Sequence, residues 1–239
     1  MQAPSRPRND VRQYDDLAAE WWPPRGRFAM LHWIAAARAR LVPPARRPGA
    51  VLVDLACGAG LFADHAAARG YRHIGFDLSP TALPQARDHG VLVARADVLR
   101  LPLPDGVADV VTAGEILEHV TDLPRAVAEA CRVLRPGGTL VLDTIAATRA
   151  ARVIAVTVAE ALPGGAPKGI HDPALFVDRR ELLSLCAGHG VPVRLSGLRP
   201  SIVDSVRWLL HRRAAVRMVP TRSTSVLFQG YGTKEELPA

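Results

Sequence analysis

The sequence is poor in cysteine and in aromatic residues, and it contains no long apolar run. Its three cysteines, Cys57, Cys131 and Cys186, lie too far apart for a CxxC metal site or a disulfide framework, and they suit a reducing compartment. No window of about 18 residues is apolar and free of charge, which predicts that no helix spans a membrane. The polar N-terminus lacks the apolar core of a secretory signal. We therefore expect a cytoplasmic protein.

Acidic residues are fewer than basic ones. The 239 residues include 30 Lys and Arg against 23 Asp and Glu, which gives a formal net charge of +7. Basic charge suits an anionic partner, but no run of five or more Lys or Arg occurs and few aromatic residues lie among the basic ones. We therefore expect a solvated basic surface and no nucleic-acid partner. With 49% hydrophobic and 22% charged residues, the composition is typical of a globular protein.

Short apolar runs alternate with helical stretches along the chain. They predict strands at 51–56, 73–79, 91–97, 107–116 and 138–145, and helices at 61–70, 80–90 and 123–135. Two later strands are predicted at 191–200 and 224–233, the last as an antiparallel insertion, with a helical segment between them. Such alternation is typical of βαβ units. The expected fold is α/β and Rossmann-like: a doubly wound, mostly parallel, seven-stranded sheet with helices on both faces.

The flanks of this pattern suggest further parts of one domain. Residues 1–12 are predicted to be a disordered lead, and 13–239 a single domain. Residues 13–48 are expected to form N-terminal helices, broken at Pro23 and Pro24, and 146–180 a lid or cap over the active site. The apolar run 151–162, with Arg149 and Arg152 nearby, is interpreted either as a lid helix or as a peripheral membrane contact; we assign that contact to residues 149–162.

A glycine turn follows the first predicted strand. In VLVDLACGAG, Gly58 and Gly60 allow a ligand to approach backbone N–H groups at a helix start. The segment also fits a variant of the dinucleotide fingerprint. Asp77 ends the second strand, where an acid can accept both ribose hydroxyls, and Asp97 after the third strand can reach an adenine amino group. Because Asp54 would repel a pyrophosphate, the pattern favours a nucleoside ligand without phosphates.

The stretch EILEHV, residues 115–120, concentrates two carboxylates and an imidazole. If a helix begins near Glu115, then Glu115, Glu118 and His119 project from one face. His171, in the downstream GIHDP loop, is then the candidate fourth ligand of Mg²⁺, Mn²⁺ or Zn²⁺. Such an ion would lower the pKa of a phenol, whereas without it His119 or His171 can take the proton. A solvated helix N-terminus without metal is the alternative.

Several stretches resemble a known family. VLVDLACGAG, GFDLS, RADVLRLPLPDGVADVV and RVLRPGGTLVL resemble the successive motifs of class I S-adenosylmethionine-dependent methyltransferases. LAAEWWPPRGRFAMLHWIAAARARL (17–41), EILEHV and PKGIHDPALFVDRREL (167–182) are similar to the ubiquinone-biosynthesis O-methyltransferases. The C-terminal RPSIVDSVRWLLHRR is not similar. The resemblance implies S-adenosylmethionine as cofactor, with the Arg38 position at its carboxylate, and the cofactor-binding residues are then Arg38, Asp54, Gly58, Gly60, Asp77, Leu78, Asp97, Val98 and Gly114.

The expected reaction is methyl transfer to a phenol or catechol oxygen of a small aromatic or quinone-type molecule. The predicted catalytic residues are Glu115, His119 and His171, and the predicted metal ligands are Glu115, Glu118, His119 and His171. Three alternatives stay open: a metal-dependent RNA 2′-O-methyltransferase, a nicotinamide-dependent oxidoreductase on Gly58–Ala63, and a non-catalytic scaffold with a vestigial pocket.

Overall fold

Eight strands form one central sheet in the computed structural model, which describes residues 6–158, 160, 166–211 and 215–236. Their spatial order is β3-β2-β1-β4-β5-β8-β6-β7. Neighbouring strands from β3 to β5 are parallel, whereas β8 is antiparallel to both β5 and β6. The doubly wound α/β fold and its late antiparallel insertion are as predicted. The strands are β1 (Val51–Leu55), β2 (Arg72–Asp77), β3 (Leu92–Arg95), β4 (Ala108–Gly114), β5 (Leu134–Ile145), β6 (Val193–Pro200), β7 (Met218–Thr221) and β8 (Leu227–Thr233).

The eighth strand corrects the prediction of seven. It is β7, which pairs with β6 at one edge of the sheet. Pro220 lies within it, and proline, which lacks an N–H group, is tolerated in edge strands. A four-residue strand that contains proline has no clear alternation of apolar and polar residues, so the sequence does not predict it.

Helices cover both faces of the sheet. They are α1 (Arg12–Asp16), α2 (Ala29–Arg38), α3 (Ala63–Ala68), α4 (Ala82–Asp88), α5 (Leu123–Val133), α6 (Arg149–Ala151), α7 (Arg179–Gly188) and α8 (Ile202–Leu209). A π-helix, Arg152–Val158, continues α6. Side-chain caps begin several of them: Asp122 accepts a hydrogen bond from the Arg125 N–H, and Asp178 accepts from the N–H groups of Arg180 and Glu181. Such caps satisfy N–H groups that have no partner within the helix.

The parallel strands are apolar on both faces because each face carries a core. Val53, Val111 and Leu142 belong to a cluster that includes residues of α5 and α7. Leu52 and Val110, one position away along the same strands, belong to a second cluster with residues of α2 and α3. Strand side chains alternate between the two faces. Continuous apolar runs in the sequence therefore predict this doubly covered sheet.

The structure gives contacts for part of the N-terminal lead. Residues 1–5 lie outside the described part, and the disordered lead over 1–12 stays a prediction. The Arg6 guanidinium bonds to the Asp16 carboxylate, and Asn9 bonds to His119. The polar side chains of the lead thus find partners in the folded domain, which composition alone does not show.

Candidate active site

A cavity of about 280 Å³ lies where the first strands of the sheet end. Its floor is made by residues that follow β1, β2, β3 and β4, where an open α/β sheet usually binds ligands. The other walls come from the N-terminal segment, from α2, and from the loop at 166–171. The cavity therefore joins the predicted cofactor side of the sheet to the predicted lid.

The predicted cofactor residues line this cavity with one exception, Gly60. Gly60 has φ +80°, and a Cβ there would lie 2.9 Å from the Cα of Ala86 in α4. The absence of a side chain at Gly60 therefore lets the glycine turn pack closely against α4. Gly58 does line the cavity; it has φ +52°, and a Cβ there would lie 2.7 Å from the Trp21 ring.

Asp77 lies at the end of β2, as its position in GFD predicts. Its carboxylate accepts hydrogen bonds of 2.8 Å from the N–H groups of both Gly58 and Ser79. These bonds tie the glycine turn to β2. Burial raises the pKa of Asp77 despite these bonds. Each carboxylate oxygen has a further lone pair, which is available to a hydroxyl in the cavity.

Asp54 is buried within β1 and held from two sides. The Thr112 hydroxyl donates to one of its oxygens at 2.5 Å, and the His73 Nε2 lies 3.3 Å from the other. Asp97 lies on a loop beside Val98, and its carboxylate accepts from the Leu99 N–H at 2.9 Å. Both acids line the cavity, so one acidic group from β1 and one from the loop after β3 lie there.

Arg38 reaches the cavity from the last turn of α2. Its Nε and Nη2 donate to Asp143, at the end of β5, over 2.5 and 2.9 Å. Both side chains are buried. Gly114 lies under the guanidinium, and a Cβ at that position would collide with it. Burial alone would lower the pKa of Arg38, but the Asp143 carboxylate raises it above its usual value.

The EILEHV segment does not form the predicted helix. Glu115 has φ +52°, a left-handed conformation that non-glycine residues adopt rarely and often at functional sites. A single 3₁₀ turn, Leu117–His119, follows it. Glu118 is fully buried and accepts a hydrogen bond of 2.6 Å from the Thr144 hydroxyl. Because the backbone is not helical at Glu115, the three side chains do not share one helical face.

His119 is held by Asn9 from the N-terminal lead. The Asn9 amide nitrogen donates to the His119 carbonyl oxygen at 2.9 Å, so the Asn9 Oδ1 faces the His119 Nδ1 at 2.6 Å. This arrangement assigns the imidazole proton to Nδ1. The other nitrogen, Nε2, lies 3.4 Å from the Tyr14 hydroxyl. The unprotonated imidazole nitrogen of His119 is therefore Nε2, which lies away from Asn9.

The loop of the predicted lid brings His171 next to His119, the residue with which it was expected to share a site. The two imidazole centroids lie 5.5 Å apart. Arg8 holds this loop by donating to the His171 carbonyl oxygen at 2.8 Å. Burial lowers the pKa of His119 to about 3 and that of His171 to about 4. Both imidazoles are therefore neutral near pH 7.

The pKa values of the two glutamates of EILEHV are raised, whereas those of the two histidines are lowered. Burial first, and then the neighbouring carboxylates of Glu118 and Asp143, raise the pKa of Glu115 well above its usual value. Burial raises the pKa of Glu118 to about 7, although the bond from Thr144 opposes this rise. Removing a carboxylate from water disfavours its charged form.

The predicted metal site is not assembled from these residues. No three His, Cys, Asp or Glu side chains in the described ranges are arranged to hold one ion. Glu118 points to Thr144 and does not line the cavity, and the Nδ1 of His119 is engaged by Asn9. The quartet Glu115, Glu118, His119 and His171 thus does not fit a divalent cation, and we derive no step through one.

Some residues of the site are absent from the sequence-based prediction. Tyr14, Trp21 and Phe28 stack in the N-terminal wall, with Trp21 and Phe28 centroids 4.2 Å apart. Trp21 is buried and lines the cavity. Asn9 carried no signal, since it lies in a polar lead. Asp143 did carry a signal, because an acid inside the apolar strand LVLDTI needs a buried partner.

The predicted lid contains α6 and the π-helix, while residues 159, 161 and 162 of the predicted apolar run lie outside the described part. The Val153 and Ile154 side chains on the π-helix are exposed. No helix among the described residues combines the length and apolarity that crossing a bilayer requires.

Comparisons with known proteins identify the family of this chain. The profile of the family described as methyltransferase domain matches residues 53–142. A ubiquinone biosynthesis O-methyltransferase from Paraburkholderia xenovorans is 35% identical over 74% of this chain and 79% of its own length. One from Ralstonia nicotianae is 33% identical over 89% and 93%. A solved structure from Thermotoga maritima, a possible histamine N-methyltransferase, has a TM-score of 0.64 at 19% identity and covers 94% of this chain and 98% of its own.

The fold and the matched profile define an S-adenosylmethionine-dependent methyltransferase. The identity and coverage of the curated relatives then show that the chain belongs to the ubiquinone-biosynthesis O-methyltransferase family. The resemblance seen in the motifs is thereby confirmed, and the nicotinamide-dependent alternative is set aside. The structural neighbour, at low identity, supports the fold alone.

Proposed function

We propose that this enzyme methylates a phenol or catechol oxygen of a small aromatic or quinone-type molecule. The observation that carries the proposal is the placement of the His119 imidazole at the cavity, where its Nδ1 faces Asn9 at 2.6 Å and its Nε2 lies 3.4 Å from the Tyr14 hydroxyl. A phenol with a pKa of about 10 keeps its proton at neutral pH. A positioned acceptor for that proton therefore assists attack by the oxygen.

The cavity residues fit the cofactor that the family implies. The Asp77 oxygens suit ribose hydroxyls, and Asp97 with the apolar Leu78 and Val98 suits an adenine. Arg38, anchored by Asp143, suits the carboxylate of the methionine part. S-adenosylmethionine, when bound, supplies an electrophilic methyl group on its sulfonium. The chain's own part is to orient the acceptor oxygen toward that methyl group and to exclude water.

The acceptor side of the cavity suits a planar ring. Tyr14 lies 5.8 Å from Trp21 and 5.9 Å from Phe28 between ring centroids, which gives an aromatic wall beside His119. His171 stacks on His119, at 5.5 Å between centroids. Two neutral imidazoles beside an aromatic wall can bind two vicinal hydroxyls by hydrogen bonds, which supports a catechol as acceptor.

The exposed Val153 and Ile154, beside Arg149 and Arg152, support a peripheral contact of the lid with a membrane surface, where a lipophilic acceptor would be found. This part of the proposal concerns delivery of the acceptor and not the reaction. Activity toward a water-soluble catechol does not depend on it.

The test is methyl transfer from labelled S-adenosylmethionine to 3,4-dihydroxybenzoate and to a monohydroxy analogue, with the product identified by mass spectrometry. We expect an O-methylated product and a loss of about tenfold or more in kcat/KM for His119→Gln. His189→Gln, at an exposed position after α7, is the matched control and should retain activity. Methylation at nitrogen or carbon, or no transfer by a protein that binds S-adenosylhomocysteine, would refute the proposal.

A further inference from the structure

Three polar side chains from neighbouring strands lie buried on one face of the sheet. Asp54 on β1 is in register with Thr112 on β4 and with Gly75 on β2. Side chains two positions apart along a strand point to the same face, so His73, two positions before Gly75, lies on the face of Asp54. The side chains of His73, Asp54 and Thr112 are all buried. Such groups need polar partners, and these three find them in one another.

Asp54 is held by one donor on each side. The Thr112 hydroxyl donates to its Oδ1 at 2.5 Å, and the His73 Nε2 lies 3.3 Å from its Oδ2. The His73 Nδ1 is buried and has no hydrogen-bond partner among the described residues. Because a buried N–H group without an acceptor is rarer than a buried acceptor without a donor, the imidazole proton is assigned to Nε2. Both donors then orient the Asp54 carboxylate without neutralising its charge.

A cation lies next to this acid on the same face. Gly114 is two positions beyond the hydroxyl that binds Asp54, and the Arg38 guanidinium lies over Gly114. The Phe62 ring borders both groups, since its centroid lies 5.4 Å from the Arg38 Cζ and 6.3 Å from the His73 ring centroid. Asp54, Arg38 and Phe62 line the cavity. This end of the cavity therefore presents an anion and a cation close together.

The two charges match the amino-acid part of S-adenosylmethionine, which carries one carboxylate and one ammonium group. Arg38 suits the carboxylate, so the ammonium group falls to Asp54. Each Asp54 oxygen accepts one bond within the protein and keeps a further lone pair. Hydrogen bonds between charged partners are strong and depend on geometry. The orientation of the Asp54 carboxylate therefore affects the affinity for this part of the cofactor.

From this geometry we propose that His73 and Thr112 are positioning residues that orient Asp54 toward the ammonium group of the cofactor. They act through the acid, because both are buried and neither is among the described residues that line the cavity. The inference rests on the cofactor assigned to this chain and is independent of the methyl acceptor. The competing interpretation is a structural role, in which the two donors only satisfy a buried carboxylate.

The test is isothermal titration calorimetry with two ligands, S-adenosylhomocysteine and 5′-methylthioadenosine. The second keeps the adenine and the ribose but lacks the ammonium and carboxylate groups. His73→Met removes the donor, whereas His73→Gln, of similar length, keeps an N–H group. We expect His73→Met to weaken binding of S-adenosylhomocysteine by about tenfold, a typical effect for a lost hydrogen bond to a charged group, and to leave binding of 5′-methylthioadenosine unchanged. His73→Gln should bind both ligands like the wild type.

The matched control is His65→Met. The His65 ring also packs against Phe62, at 5.5 Å between centroids, but it belongs to α3 and does not contact Asp54. This variant should bind both ligands like the wild type. Thr112→Val, which removes the other donor at nearly constant shape, should repeat the selective loss seen with His73→Met. It decides the matter by the same comparison if His73→Met does not fold.

Two results would overturn the proposal: an equal loss of affinity for both ligands, which indicates a structural role, or unchanged affinity for S-adenosylhomocysteine in both donor variants. Failure of the wild type to bind S-adenosylhomocysteine would overturn the cofactor assignment together with this inference. Because neither ligand is a methyl acceptor, the result does not depend on whether a catechol is methylated.

Discussion

Arg38 and Asp143 form a buried two-bond ion pair that joins α2 to the end of β5 across 105 positions of sequence. The pair uses Nε and Nη2 of the guanidinium, which leaves Nη1 for another acceptor. A guanidinium held in this way presents its remaining donors in a fixed direction. Arg38 can then meet an anionic group without losing further side-chain freedom.

Removing the charge of Asp143 should release Arg38. We expect Asp143→Asn to weaken binding of S-adenosylhomocysteine by about tenfold and to lower stability by about 3 kcal/mol, because the buried guanidinium loses its counter-charge. Isothermal titration calorimetry measures the first effect and urea unfolding the second. Asp105→Asn removes an exposed acid that pairs with Arg132 and should change neither. Unaltered affinity in a folded Asp143→Asn protein would show that the pair does not position Arg38.

Gly114 provides a second test of the same arrangement. Gly114→Ala places a methyl group where the Arg38 guanidinium lies, so we expect cofactor affinity to fall by about tenfold or more as Arg38 is displaced. Gly188→Ala is the control: the glycine is at the end of α7, and nothing lies within 4 Å of the added Cβ. That variant should bind like the wild type, as measured by thermal shift with S-adenosylhomocysteine. Equal binding by both variants would contradict the expectation.

Asn9 should affect the chemical step and not cofactor binding. Asn9→Ala removes the group that holds the His119 tautomer, and we expect kcat to fall by about tenfold, a typical effect for a group that orients a base. The dissociation constant of S-adenosylhomocysteine should stay unchanged. Arg12→Ala, an exposed change in the same segment, controls for disturbance of the N-terminal lead. A change in affinity with unchanged kcat would assign Asn9 to the cofactor.

His171 should make stability depend on pH. Its pKa is lowered to about 4 by burial, whereas in the unfolded chain it is about 6.5. Between these values the unfolded state binds more protons, so stability falls as pH decreases below about 6.5. We expect His171→Gln to reduce the loss of unfolding free energy between pH 7.5 and 5 by about 2 kcal/mol, measured in urea. His189→Gln, an exposed position, should leave the loss unchanged, and an equal loss in both variants would refute this account.

Chelation tests the corrected metal prediction. Because Glu118 points to Thr144 and His119 is bound by Asn9, we expect EDTA to leave methyl transfer unchanged. The control is the same assay with added Mg²⁺, which should not increase the rate. A loss of activity that Mg²⁺ restores would show that a metal reorganises Glu115, Glu118 and His119 into a site that this arrangement lacks.

Structural features that depend on neighbouring residues could be predicted from the sequence. The apolar runs and glycines predict the parallel strands and the turn after β1, since strand and turn preferences act over a few residues. The position of Asp77 at the end of β2 follows from the same pattern. His171 was also expected to lie near EILEHV, as a candidate fourth ligand from the GIHDP loop that resembles the family.

Long-range contacts were decided only by the tertiary structure. The helix expected at Glu115 is absent, and Glu118 turns inward to Thr144, because β5 offers a buried hydroxyl that the local pattern does not reveal. Asn9 reaches His119 across 110 positions, and α8 turns its aliphatic face outward because Trp208 and Asp204 have partners on the domain. A local pattern predicts an element and its amphipathicity. Which face is buried, and which side chains meet, depends on surfaces contributed by distant parts of the chain.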